Sequence, residues 1–384
     1  MDFTYDDEQV ALREAVRGLL STTYGDHEAR RRSVAEDPGF DRALWGRLAE
    51  MGVLGLPFSE DDGGVGAGPV EIGIVCQELG RVLAPEPFLA CVVHAGGLVA
   101  ALGSPEQKAE LLGGVSAGEL VLAAADTSPG GRWSADADGD GDGVRAAVEG
   151  DAWTLSGVCD PVVGGGSADR FIVTAALPDD AGTGVFVVAA DDVERIGYVA
   201  ADLTRAASVR FDASPAVPLG EPGRDLRRSV AIISDLVRIM GANQALGVMQ
   251  SQVRATTDYL KSRTQFGVTL NTFQALSFRA ADMYVSLELA HSLVDWATMT
   301  IAGGDPDAVA DAADRVGLQI SRAGRHIGEE AIQLHGGIGM TAEYAVGVGT
   351  AHLVVLDQWL GNASHHLSRL SERVDDHDMV EALG

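Results

Sequence analysis

From about Asp225 onward, apolar residues recur every three to four positions with little interruption. Ile232, Ile233, Leu236, Val237, Met240, Leu246, Met249 and Val253 open the pattern, and it continues over about 272–301, 306–334 and 350–374. That spacing gathers apolar groups on one face of a helix. Asp305 followed by Pro306 marks a helix start, because Asp accepts from first-turn N–H groups and Pro needs no partner there. Four long helices with short connections must bury their faces on one another, which predicts an antiparallel four-helix bundle over 223–384.

The preceding residues have two other characters. Over 6–123 the pattern is again helical, with Val10, Leu12, Val16, Leu19 and Leu20 on one stripe. A second helix runs from Asp41 through Leu44, Trp45 and Leu48 and stops at Gly52. A glycine-rich loop, Pro57-Phe58-Ser59-Glu60-Asp61-Asp62-Gly63-Gly64-Val65-Gly66, leads to a helix from about Pro69 to Arg81. Ser104-Pro105 reads as an N-cap and first helical residue. Near Val121 short β-type runs take over, including Trp153-Thr154-Leu155, Phe171-Ile172-Val173 and Val185-Phe186-Val187-Val188. Gly, Asp and Pro turns separate them, as in a small β-barrel or sandwich. The order is therefore an all-α domain over 1–120, a β domain over 121–222, and the bundle. Within 134–143, Asp136, Asp138, Asp140 and Gly141 mimic the start of a calcium loop, but Ala147 stands where the closing glutamate belongs. The stretch reads as a hairpin loop.

Charge and cysteines narrow the function classes. Lys plus Arg is 28 and Asp plus Glu is 56, a net charge of -28. Nucleic acid and anionic membranes need a basic surface, so neither is expected as a partner. Any anionic ligand needs a locally basic site. Cys76, Cys91 and Cys159 lack metal-type spacing, and an odd count fits a reduced, cytoplasmic protein. The first residues are acidic where a signal peptide is basic, and no apolar run is long enough to span a membrane.

Two stretches of the bundle carry a family resemblance. One is Gln333-Leu334-His335-Gly336-Gly337-Ile338-Gly339-Met340; the other is Arg263-Thr264-Gln265-Phe266-Gly267, followed by Phe273-Gln274. Together they resemble the FAD-binding signatures of the acyl-CoA dehydrogenase family. Gln77-Glu78-Leu79-Gly80-Arg81 and the domain order extend the likeness over nearly the whole chain. The resemblance implies removal of hydrogen from the α and β carbons of an acyl-CoA thioester. A glutamate takes the α proton, and FAD takes the β hydrogen as hydride.

The family's two base positions fall here on Leu360 and Val237, both aliphatic. Asp357 and Asp235 are the nearest acids. Asp235 is two residues from Val237 on a helix, so it points about 200° away. Asp357 lies one turn before Leu360 with a shorter side chain than glutamate. His365 and His366 read as solvated helix residues. Ala351-His352 replaces the family's arginine-aspartate pair. Where the family holds the flavin ring, Thr127-Ser128-Pro129 keeps the threonine and proline, but Arg132 and Trp133 stand for glycine and serine. Pro161 stands where a tryptophan belongs.

By contrast, Arg263, Phe266, Gln274, Gln333, Gly336 and Gly337 match the elements that reach across a subunit interface. In the family these hold the pyrophosphate and adenine of a neighbour's FAD. The resemblance therefore implies a heterotetramer with a paralogous catalytic subunit, a bulky or sterol-derived acyl-CoA, and electron-transferring flavoprotein as a possible acceptor. A self-sufficient homomeric flavoenzyme with an unusual base and an inactive scaffold of the same fold are the alternatives.

Overall fold

The computed structural model describes residues 4–128, 132–133, 143–341 and 344–376; Asp136, Asp138 and Asp140 of the calcium-like stretch lie outside them. Helices come first: α1 (Asp7–Thr23), α2 (His27–Ala35), α3 (Arg42–Glu50) and α4 (Pro69–Arg81), then a π-helix over Phe88–Ala95, α5 (Gly96–Leu102) and α6 (Pro105–Ser116). Local chemistry starts several of them. The Ser104 hydroxyl accepts from the Gln107 N–H while the Gln107 side chain accepts from the Ser104 N–H, a reciprocal cap. Asp41 likewise accepts from the N–H groups of Ala43 and Leu44. The π-helix was not readable from apolar spacing, since its run of Phe88 to Ala95 is apolar apart from His94.

The β domain comprises β1 (Leu122–Ala125), β2 (Thr127–Ser128), β3 (Arg132–Trp133), β4 (Arg145–Glu149), β5 (Ala152–Val163), β6 (Arg170–Ala176), β7 (Thr183–Ala189), β8 (Glu194–Val199) and β9 (Arg205–Pro218). Strands β6, β4, β5, β9 and β7 pair in that order, and β7 pairs back to β6, so the sheet closes on itself. Of the two forms expected, barrel or sandwich, it is a barrel. Leu155, Phe171, Val173, Phe186, Val209 and Phe211 fill its interior as a core of its own.

The last domain holds α7 (Arg227–Ser262), a hairpin of β10 (Thr264–Gln265) and β11 (Val268–Thr269), α8 (Gln274–Ala302), α9 (Pro306–His335), α10 (Ala345–Leu360) and α11 (Ala363–Glu372). One expected helix, 350–374, is in fact two. Gly361 takes φ +99, and the Asn362 side chain caps α11 by accepting from Ser364 and His365 N–H groups.

A single apolar core runs from Val16 and Leu20 of α1 through α4 into the bundle at Leu246, Val294 and Leu360. Two glycines make that continuity possible. A Cβ on Gly80 would lie 2.0 Å from the Gln244 carbonyl oxygen, and one on Gly247 would lie 2.0 Å from that of Gln77. Helices α4 and α7 therefore cross backbone to backbone. No described helix is long and apolar enough to cross a membrane.

Candidate functional site

The retained signatures meet at one end of the bundle. Helix α7 ends at Ser262, and Arg263 follows with its N–H donated to the Tyr259 carbonyl. The hairpin then turns at Phe266 and Gly267, at φ +55 and +81. A positive φ is unusual for phenylalanine, and this ring is 93% exposed, meeting Phe273 edge-on at 6.3 Å. Gln274 begins α8 and is exposed. Helix α9 brings Gln333 to the surface and stops at Gly336, whose φ of +66 and ψ of -144 suit glycine alone. A Cβ on Gly336 or Gly337 would have nothing within 4 Å, so the backbone there is open to approach.

His335 ties the two stretches together. Its ring lies 4.5 Å from Tyr259 on α7 and 5.1 Å from Tyr344. The Arg263 guanidinium is exposed and has no hydrogen bond or ion pair among the described residues. An unpaired guanidinium, two free amide side chains and an open glycine corner are what a pyrophosphate and its nucleoside need. Beside this end, α8 exposes Phe278, Val285 and Leu289, spaced so that they share one face. Met340 and Ile338 are exposed next to the glycines.

The other half of a flavin site would fall where the three domains meet, and it is built differently. A cavity of only about 70 Å³ remains there, lined by Phe40, Glu86, Gly164, Asp202, His352 and Trp359. Pockets for cofactor-sized ligands begin at about 300 Å³, several times this volume. Polar groups from separate domains close the space. His352 Nδ1 lies 2.6 Å from Asp202 Oδ2, its Nε2 lies 3.0 Å from the Gln244 amide, and Arg30 donates to the Asp202 carbonyl at 2.8 Å. Burial opposes ionisation of Asp202, but hydrogen bonds from His352 and Thr204 and the charge of His352 outweigh it and hold the carboxyl at about 2.

Thr127 is buried, and its hydroxyl faces Asp126 at 3.5 Å. Asp126 in turn sits 3.0 Å from His94 on the π-helix, with both side chains buried. Val163 and Gly164, at the end of the second ring-binding stretch, border the small cavity.

Both family base positions are packed. Val237 is fully buried, and Leu360 presses on Gly241, where a Cβ would come within 2.2 Å of its Cδ1. Arg238 donates to the Leu360 carbonyl at 3.1 Å and to Asp235 at 3.0 Å. Neither substitute acid reaches the junction cavity. Asp235 is buried and held by Arg238 and Arg369; burial pushes its carboxyl up, against both arginines. Asp357 accepts a hydrogen bond from Ser321 and faces a groove of about 540 Å³ between α7, α9, α10 and α11, which Leu360 also lines. That groove is on the opposite side of α10 from His352. One reading is corrected outright: His366 is not solvated but buried, with Nδ1 3.1 Å from Asp314. Asp314 also pairs with Arg369 and Arg373.

Glu86, Asp202, His94 and Asp126 went unremarked in the sequence. Nothing in their local sequence marks them, because their partners lie far along the chain.

Comparisons with known proteins agree with this architecture. Residues 6–119 match the family described as acyl-CoA dehydrogenase, N-terminal domain, and residues 235–374 match acyl-CoA dehydrogenase, C-terminal domain. Acyl-CoA dehydrogenase IpdE2 of Mycobacterium tuberculosis is 32% identical over 346 residues, covering 89% of each chain. Among solved structures, the ChsE4-ChsE5 complex from Mycobacterium tuberculosis superposes with a TM-score of 0.88 at 27% identity, over 99% of this chain and 100% of that one. The G363A variant of the Tcur3481-Tcur3483 steroid ACAD gives 0.85 at 29% identity, over 96% and 98%.

Proposed function

Since the chain belongs to the acyl-CoA dehydrogenase family of FAD-dependent oxidoreductases, we propose that it is the cofactor-completing subunit of a heteromeric member. In this reading a paralogous subunit holds most of the FAD and carries the catalytic glutamate. Arg263, Phe266, Gln274, Gln333, Gly336 and Gly337 of this chain close over the pyrophosphate and adenine. The observation that carries the reading is the contrast between the exposed Arg263 end, unpaired among the described residues, and a junction cavity of about 70 Å³ bordered by Trp359, with an aliphatic Leu360 at the family base position. Groups that could grip a cofactor are exposed, while both family base positions of this chain are aliphatic.

The chain's own residues then do three things. Arg263 offers a fork of N–H donors matched to phosphate oxygens. Gly336 and Gly337 let the nucleotide come close to backbone. Gln274 and Gln333 give neutral hydrogen bonds. FAD, when bound, supplies hydride acceptance, and the proton-accepting carboxylate belongs to the partner. Thr127, which the family resemblance places at the flavin ring, is buried with its hydroxyl facing Asp126, and we keep it as a candidate ring contact of this chain.

Two features support an assembly of unlike subunits. The exposed apolar face of α8 is what a protein partner covers. Two of the similar solved structures bear the names of two-component proteins, ChsE4-ChsE5 and Tcur3481-Tcur3483, and the second is a steroid ACAD. On that analogy the substrate is a bulky, sterol-derived acyl-CoA and the assembly a heterotetramer. A further similar structure is an electron transferring flavoprotein study from Acidaminococcus fermentans, at TM-score 0.87 and 25% identity, and such a protein is the acceptor we assign.

The test is the flavin-to-chain ratio. The chain purified alone should be colourless, and with the paralogous subunit it should give one FAD per pair of chains. A yellow homomer that oxidises an acyl-CoA by itself refutes the reading.

A further inference from the structure

The junction cavity holds a carboxyl that neither the retained nor the lost family elements explain. Glu86 lies between Pro85 and Pro87, just before the π-helix, and is 6% exposed. Its Oε1 accepts from the Tyr24 hydroxyl at 2.6 Å and from the Asp41 N–H at 3.2 Å. Its Oε2 is buried with no hydrogen-bond partner among the described residues. A buried carboxylate with no protein donor to one of its oxygens is less favourable than a neutral acid. Burial accordingly pushes the Glu86 carboxyl up to about 7, against the hydrogen bond from Tyr24.

The charged and titratable groups around it come from every packed element. They are Tyr24 just after α1, Arg30 from α2, Asp41 just before α3, Asp202 and Arg205 from the barrel, and His352 from α10. Arg30 Nη1 and Arg205 Nε are also buried without partners. The cavity of about 70 Å³ has room for about two waters at ~30 Å³ each. Helical domain, barrel and bundle thus meet at one small, polar, hydratable space.

We infer that Glu86 is a proton-operated pin in this joint: protonated, it lets the three domains close, and ionised, it draws water to Oε2 and loosens the Asp202–His352–Gln244 tie facing the same cavity. This device belongs to the chain alone and does not depend on the partner reading. Its sign follows from linkage. A carboxyl whose closed-state value lies above its hydrated value favours closure at low pH. That contribution is complete below the hydrated value, 4.5, and is lost as pH rises through about 7. The opening equilibrium therefore rises about tenfold between about pH 6 and pH 8.

Hydrogen–deuterium exchange of the full chain tests this, with intrinsic exchange rates divided out. Segments 84–95 and 350–360 should open about tenfold more at the higher pH. Glu86→Gln should remove the dependence. Tyr24→Phe should move its midpoint upward, because the ionised form loses a hydrogen bond. A wild-type profile that is flat, or an equal slope in Glu86→Gln, overturns the inference. Should Glu86→Gln not fold, the Tyr24→Phe midpoint decides: an unmoved midpoint overturns it as well.

Discussion

In the proposed reading the far end of the bundle serves a neighbour's FAD and the three-domain junction is where this chain's own would lie, and the two are built in opposite ways. At the far end the side chains of Arg263, Gln274 and Gln333 are exposed around a glycine corner and unpaired among the described residues. At the junction they are buried and matched to one another, as Asp202 is to His352. Unpaired surface polarity is inexpensive in water and ready for a ligand. Paired buried polarity is specific and resists one. On the proposed reading, a chain of this kind gives up its own pocket while still serving another's.

The largest effect should come from breaking the junction. His352→Ala leaves Asp202, 0% exposed, as a buried charge without its main partner, which costs about 3–5 kcal/mol; chemical denaturation reads it. The same pair sets an acid limit. Because Asp202 is held at about 2, its contribution is present at neutral pH and is lost as pH falls from its ordinary value of 3.8 toward 2. Denaturation midpoints of the wild type and Asp202→Asn should converge over that window.

Next comes the outward-facing end. Arg263→Ala in the assembled protein should weaken FAD retention by roughly 10- to 100-fold, the worth of a charge-assisted bidentate contact, while leaving the fold stability of the chain unchanged. A variant that keeps its flavin would sink the lending role of this end. Gly80→Ala should destabilise by about 1–3 kcal/mol, since the added methyl meets the Gln244 carbonyl oxygen. The smallest effect sharpens the contrast most. Leu360→Glu restores a carboxylate at the family position, yet acyl-CoA oxidation by the chain alone should remain at zero.

Much of the fold was legible because it is local. Pro69 and Arg81 bound α4, and Asp305 caps α9 beginning at Pro306, as the sequence indicates. The glycine corner at Gly336 was equally readable, since its φ and ψ admit little else. What escaped is long-range. The Asp202–His352 pair joins residues 150 apart, and the Gly361 break depends on how α11 folds back onto α9. His366 looked solvated because its neighbours Ser364 and Leu367 are exposed, but Asp314 lies across the bundle. Sheet closure through β6 and β7 likewise depends on pairings that alternating residues do not specify.

The backbone-to-backbone crossing of α4 and α7 has a wider consequence. Neither Gly80 nor Gly247 can accept even a methyl group without displacement, so the spacing of helical domain and bundle is pinned at this crossing. The room between the domains then varies through side chains on a fixed frame. A duplicated gene could convert a working chamber into a sealed one, or back again, through a few point substitutions on an unmoved scaffold.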